Sequence, residues 1–258
     1  MRTIVLQYHD VVESDDFGTS GFIGADADTY KMSRSTFEEH VSAISATVAP
    51  ALPELAGGRL PSVLFTFDDG GVSAVTVTAD VLERRGWRGI FLVTTDWIGR
   101  PGFLTEAQLR ELDVRGHVVG AHSCSHPLRF ARCAPAVMRA EWEGSVGRLA
   151  DVLGHPVTVA SVPGGYYSRQ AAVAADQAGI GILFTSEPVA HVARVGGCRV
   201  VGRYTLRRWS PAATAARIAA GALAPRTSQW LVWNGKKMVK AIAGTGYLRV
   251  RQAILGRS

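Results

Sequence analysis

Residues Leu64 to Gly71 read LFTFDDGG, an apolar run that ends in two adjacent carboxylates, Asp68 and Asp69, and a pair of glycines. An uninterrupted apolar run of this length reads as a buried strand. The two like charges therefore stand at the mouth of the protein's own core, where they repel each other unless a cation or a shared proton settles them. The same pattern recurs along the chain. Extended runs fall at Thr3 to Gln7, Val63 to Phe67, Gly89 to Val93, His117 to Ala121, Val157 to Val162, Ile180 to Phe184 and Arg199 to Val201, with an eighth at Trp230 to Trp233.

Helical patterns lie between these runs. Ser35 with Glu38 predicts a capping box ahead of Phe37, Val41, Ile44 and Val48, which recur at helical spacing on one face. Thr105 with Gln108 repeats that signal, and Gly116 supplies a stop. Further helices are expected from Ser73 to Arg85, Pro135 to Leu153, Ser168 to Ala178 and Pro211 to Leu223. Alternating strands and helices in this number predict an α/β fold: a distorted or partly open (β/α) barrel of about seven parallel strands. In such barrels the loops after the strands converge on one rim. His9 and Asp10 follow the first strand, Asp68 and Asp69 the second, Thr94 to Asp96 the third, His122 to His126 the fourth, and Pro163 to Gly165 the fifth.

Bulk properties fit one domain over residues 1–258, since 47% hydrophobic and 19% charged residues suffice for a full core. The apolar start MRTIVLQYHD is too brief for a secretory core segment, and no stretch is long enough to span a bilayer, so a cytoplasmic location is expected. Three cysteines without Cys-x-x-Cys spacing argue against a disulfide scaffold or a structural zinc knot. The net charge of +6 comes from a tail at about 235–258, where six of the 28 basic residues and no acid lie, leaving 22 basic against 22 acidic elsewhere. That tail reads as a solvated helical face or as a patch for an anionic carrier or membrane surface; no aromatic-studded basic run suggests nucleic acid.

HVVGAHSCSHP holds the second strong signal, His122 and His126 four apart after an apolar strand. Two imidazoles at this spacing and one carboxylate make a facial ligand set for a divalent ion, and an Asp that ligates it beside an Asp that acts as base removes the repulsion within the Asp-Asp pair.

TFDDG, then HSCSH, then SVPGGYYS resemble the first three motifs of the polysaccharide deacetylases, the NodB-like carbohydrate esterases that remove acetyl groups from sugars. The resemblance implies that Asp69, His122 and His126 hold Zn2+ or another divalent ion such as Co2+ or Ni2+, with Asp68 as general base. It also implies that the segment of Pro163, Gly164, Gly165 and Tyr166 serves the oxyanion and the substrate, an N-acetylated carbohydrate. Tyr166 and Tyr167 either flank a sugar ring or are core aromatics.

Two departures from the family's pattern stand out. Ser161 occupies the place of an arginine that braces the catalytic aspartate, and Arg203 in VVGRY is the expected replacement. No late histidine is recognisable as general acid, since WLVWNGKK offers Asn234 instead. His9 is the first candidate for that role and His191 the second, with a structural role open for each. Residues Glu13 to Arg34 form a long connection expected to shape the substrate groove. A deacetylase of an N-acetylated amino sugar is thus the leading expectation. The alternatives are a catalytically degenerate barrel that binds a glycan or a protein, and a hydrolase of a non-sugar amide.

Overall fold

The computed structural model describes residues 3–49, 60–165 and 167–243, with backbone only from 236 on. Eleven strands are present among these residues: β1 (Ile4–Tyr8), β2 (Val11–Val12), β3 (Met32–Ser33), β4 (Val63–Phe67), β5 (Gly89–Val93), β6 (Val118–Ala121), β7 (Val159–Ser161), β8 (Ile182–Phe184), β9 (Val192–Val195), β10 (Cys198–Val201) and β11 (Tyr204–Thr205). The helices are α1 (Ala25–Asp28), α2 (Arg34–Ser45), α3 (Ala79–Glu83), α4 (Glu106–Val114), α5 (Pro135–Leu153), α6 (Arg169–Gln177), α7 (Ala212–Ala219) and α8 (Leu223–Ala243).

Nine strands make one curled sheet in the order β11-β1-β4-β5-β6-β7-β8-β10-β9, parallel throughout except between β9 and β10. With β11 and β9 as its edges, the sheet is the expected partly open (β/α) barrel. The seven expected parallel strands are β1, β4, β5, β6, β7, β8 and β10, and the two-residue β11 adds one more outside β1. Strands β2 and β3 pair apart from this sheet.

Period-two alternation divides the core. Val5, Leu64, Ile90, Leu92, Val159, Ile182, Phe184 and Val201 fill the concave face, while Leu6, Tyr8, Phe65, Phe67, Phe91 and Val93 face the helices. Both faces are dry, which is why the strands read as continuous apolar runs. Burying each of these large side chains contributes about 1.5–3 kcal/mol. The concave row of β4 then continues Leu64, Thr66, Asp68, so the alternation that builds the core also aims Asp68 over it.

Helix α4 carries the expected capping box, with Thr105 Oγ1 accepting from the Gln108 N–H and Gln108 Oε1 from the Thr105 N–H. Helix α5 keeps its expected ends, with Pro135 in the first turn and Gly154 closing it in the left-handed conformation. Two expectations are corrected. The Ser35–Glu38 box is absent: α2 begins after Ser33, and the Glu38 carboxylate accepts from Arg34 Nε and Arg84 Nη2 instead of reaching back to the helix start. Trp230 to Trp233 is no strand but part of α8. Its inward positions Arg226, Gln229 and Trp233 meet the Tyr204 hydroxyl, the Thr205 carbonyl and Gly165, a spacing that only a helix provides. Asn234 therefore sits on that helix, its amide donating to the Trp230 carbonyl.

Most of the basic tail and Tyr166 lie outside the described residues. Among the described residues, no helix is long and apolar enough to cross a membrane.

Candidate active site

The strand ends deliver Asp68, Asp69, His122 and Arg203 to one rim. Immediately after β4, Asp69 takes a left-handed φ of 78°, and Gly70 follows at 87°. That reversal turns Asp69 away from the concave row that Asp68 continues. After β6, Ser123 (φ 64°) and His126 (φ 58°) enter the same region and fold HSCSH into a tight turn. Such backbone costs about 1–3 kcal/mol per residue and persists where surrounding structure holds it.

Asp69 Oδ1 lies 3.6 Å from His122 Nε2 and 3.7 Å from His126 Nε2, too far for hydrogen bonds. One ligand atom from each of the three residues lies within 4.8 Å of the other two. Ligands held about 2.0–2.2 Å from one ion at tetrahedral angles stand roughly 3.4 Å apart, so the cluster has the dimensions of a divalent-ion site. Electrostatics agree with that assignment. Burial, reinforced by Asp68 and Asp10 and opposed by His9 and Lys31, pushes the Asp69 carboxyl up to about 7, a cost that a cation would relieve. Burial also holds both histidines below the usual imidazole range, His122 at about 3, so they are neutral and able to ligate. His122 Nδ1 points at Ser161, 3.0 Å from its carbonyl and 2.6 Å from its hydroxyl. An N–H there leaves Nε2 with its lone pair toward Asp69.

Asp68 is saturated with donors. Arg203 grips it bidentately, with Nη1 2.7 Å from Oδ1 and Nη2 2.7 Å from Oδ2; the Ser161 hydroxyl donates to Oδ1 at 3.0 Å and the Gln7 amide to Oδ2 at 2.8 Å. Arg203, itself 0% exposed, is fixed further by donating to the Thr185 carbonyl and Thr66 Oγ1. Burial alone would raise the Asp68 carboxyl, but the Arg203 guanidinium, with His122, holds it well below the usual carboxylate range. It is therefore ionised at neutral pH. Ser161 takes part in both halves of the site, since it joins His122 to Asp68. Thr66 and Ser161 lie in the quoted motifs TFDDG and SVPGGYYS, but neither these nor Gln7 signalled a bond to Asp68 or Arg203; the only hint was a polar residue interrupting the concave apolar row.

His9 follows β1 and packs against Tyr30, ring centroids 4.8 Å apart and tilted by 37°; its buried Nδ1 has no hydrogen-bond partner among the described residues. With Asp10, Asp68 and Gly71, and with Phe67 and Phe91 of the helix-facing core, it lines a small cavity. Asp10 ties the long connection to the Asp-Asp turn: the hydroxyls of Ser20 and Ser73 donate to Oδ1 at 2.6 and 2.8 Å, and a Cβ on Gly21 or Gly71 would collide with the carboxylate. The buried Lys31 adds bonds to the carbonyls of Phe17 and Ser20. That connection is thus packed in place, and it brings Phe22 to 5.1 Å from the His126 ring. Pro163–Gly165 forms a turn next to the site, with Gly164 at φ 60° and Gly165 at φ 68°, under the Trp233 ring of α8. Tyr167 packs against the main core. His191 is exposed beside the edge strand β9.

Comparison with known proteins agrees with this geometry. Residues 57–183 match the sequence model of the family described as Polysaccharide deacetylase. YxkH of Bacillus subtilis (strain 168), which bears a polysaccharide deacetylase name, is 28% identical over 146 residues, 57% of this chain and 50% of the relative, so the chain spans about half the length of that curated relative. Among solved structures, the Streptococcus pyogenes deacetylase PplD in complex with acetate superposes with a TM-score of 0.68 at 19% identity, over 82% of this chain and 95% of the other. IcaB from Ammonifex degensii gives 0.68 at 24% identity over 85% and 97%, and a Bacillus cereus polysaccharide deacetylase 0.71 at 16% over 84% and 69%. At these identities the superpositions show the fold; the match to the polysaccharide deacetylase family model spans residues 57–183, just under half of this chain, and includes both aspartates and both histidines of the rim.

Proposed function

We propose that the protein is a metal-dependent deacetylase that hydrolyses the N-acetyl group of an amino sugar in a glycan, glycolipid or sugar-nucleotide precursor. The observation that carries this reading is the division of labour within the Asp-Asp pair: Asp68 is locked ionised by Arg203, while Asp69 faces two neutral imidazoles. Asp69, His122 and His126 would hold the ion, Zn2+ or alternatively Co2+ or Ni2+. When bound, it supplies Lewis acidity toward the acetyl carbonyl and lowers the pKa of water.

The chain's own groups carry the rest. Asp68 accepts the proton of the attacking water, and Arg203, Ser161 and Gln7 orient its carboxylate for that transfer. Arg203 acts through Asp68 and is a positioning residue. His9 gives the leaving amine its proton; its buried Nδ1, unpartnered among the described residues, supports this role over exposed His191. In the turn at Pro163, Gly164 and Gly165, the Gly164 N–H is the donor we assign to the oxyanion, since proline has none and the Gly165 N–H donates to the Val162 carbonyl; Tyr166 follows as a substrate contact. We take the chain as one such domain with a basic tail that favours an anionic carrier of the sugar.

Acetate release from a panel of N-acetylated sugars and sugar conjugates, with added zinc, tests the proposal. Release that is lost in both Asp68→Asn and His122→Ala supports it and names the best substrate. Stoichiometric zinc binding with no turnover across the panel would favour a glycan-binding barrel instead.

A further inference from the structure

The strained turn between the two histidines is held from both sides. Toward β5, the Ser123 and Cys124 carbonyls accept from the Thr95 and Asp96 N–H groups at 3.2 and 3.0 Å. Within the turn, Ser123 Oγ accepts from the His126 N–H at 3.1 Å. Toward α5, a single side chain takes the turn's two outward N–H groups: Glu141 Oε2 accepts from Cys124 and Ser125, each at 2.9 Å, and Glu141 Oε1 accepts from the Ser125 hydroxyl at 2.6 Å. Three donors on one carboxylate make charge-assisted bonds, about twice as strong as neutral ones. Three residues further along α5, Gly144 leaves the dent into which Cys124 fits; a Cβ there would lie 2.8 Å from its Sγ.

We infer that Glu141 is a positioning residue for the metal centre. Its carboxylate fixes the backbone of Cys124 and Ser125 in the reversal that turns His122 and His126 toward Asp69, and so sets the spacing of the ligand atoms. The inference rests on the reading of Asp69, His122 and His126 as a metal site. Without Glu141, the two N–H groups pass to water, and the left-handed residues Ser123 and His126 lose the contact that offsets their strain. The ligands themselves remain, so the expected loss is in affinity and coordination geometry.

The test uses the full chain stripped with EDTA and titrated with Co2+, read by its visible absorption bands, beside thermal melts of the metal-free proteins. Glu141→Ala should bind Co2+ about 10–100-fold more weakly, the range for groups that orient metal ligands, and with shifted bands. Glu141→Gln, which retains an acceptor oxygen, should recover most of both. Gly144→Ala, which displaces Cys124 while leaving Glu141 intact, should shift the bands in the same way and guards against poor folding of Glu141→Ala. Wild-type affinity and bands in Glu141→Ala, or in Gly144→Ala if the former does not fold, would overturn the inference. Failure of the wild-type protein to bind Co2+ stoichiometrically would overturn the metal site itself, and this inference with it.

Discussion

Replacing Arg203 with Met keeps much of the apolar stem but removes the guanidinium that donates twice to Asp68, and with it the bonds to Thr66 and Thr185. Asp68, only 3% exposed, then keeps Gln7 and Ser161 as donors but has no cation. Breaking a buried pair by deleting one partner costs about 3–5 kcal/mol, because the remaining charge stays desolvated. In a chain of this size that corresponds to a fall of roughly 6–20 °C in Tm. Adding Asp68→Asn removes the orphaned charge, so the double variant should regain most of the loss. The pH dependence has a definite sign. In the wild type the depressed Asp68 carboxyl contributes stability above its unfolded value of about 3.9, and that contribution is lost only as pH falls through the lower folded value. In Arg203→Met, burial raises the carboxyl, the native state holds a proton that the unfolded state has released, and stability falls as pH rises from 5 to 8. Thermal melts of the four proteins in EDTA at several pH values make the measurement. An Arg203→Met protein within about 0.5 kcal/mol of wild type, the scale of an ordinary surface substitution, would refute the reasoning. So would a double variant as unstable as the sum of the two single ones.

Other expectations concern single groups. His9→Ala should lower kcat by about 10²–10⁴, the usual contribution of a positioned acid, while the Co2+ affinity of the stripped protein stays unchanged; a matching loss of Co2+ binding would move His9 out of the acid role. Gly165→Ala places a Cβ 3.0 Å from Ser186 and 3.1 Å from Trp233 at a left-handed φ, so denaturant titration should show a loss of about 1–3 kcal/mol. Thr105→Ala deletes one arm of the α4 capping box and should cost about 1 kcal/mol in the same assay. His40 is buried between the Tyr8 hydroxyl and the Ser210 carbonyl, and burial lowers its pKa. The unfolded state therefore binds its proton first, and stability declines as pH drops below about 6.5. His40→Gln, which can keep both hydrogen bonds, should flatten that decline in pH-dependent melts.

Elements whose neighbours in the chain decide them were legible before the structure. Val63–Phe67 and Gly89–Val93 match their apolar runs residue for residue, because a strand buried on both faces is apolar from end to end. Pro135–Leu153 was bounded by its own proline and Gly154. The Asp-Asp pair and the histidines were equally visible, since one short turn after a strand presents each set. Arg203 could be named from the sequence as a partner for Asp68, but only the curling of the sheet brings residues 135 positions apart into a bidentate contact. Other features needed the tertiary fold outright. Glu38 belongs to a capping box by spacing, yet Arg84 from another element and Arg34 beside it claim its carboxylate. Trp230–Trp233 has the apolar, aromatic look of a strand, and becomes helix because packing on β11 and the Gly165 turn rewards every third and fourth residue. Gln7 and Glu141 carry no local signal, and Ser161 stood out only as a departure from an arginine, since their partners are 61, 16–17 and 93 residues away. Local sequence thus determined where strands end and which polar side chains follow them. The tertiary structure decided how those side chains are held, because a hydrogen bond or ion pair depends on distances of about 3 Å that spacing along the chain does not encode.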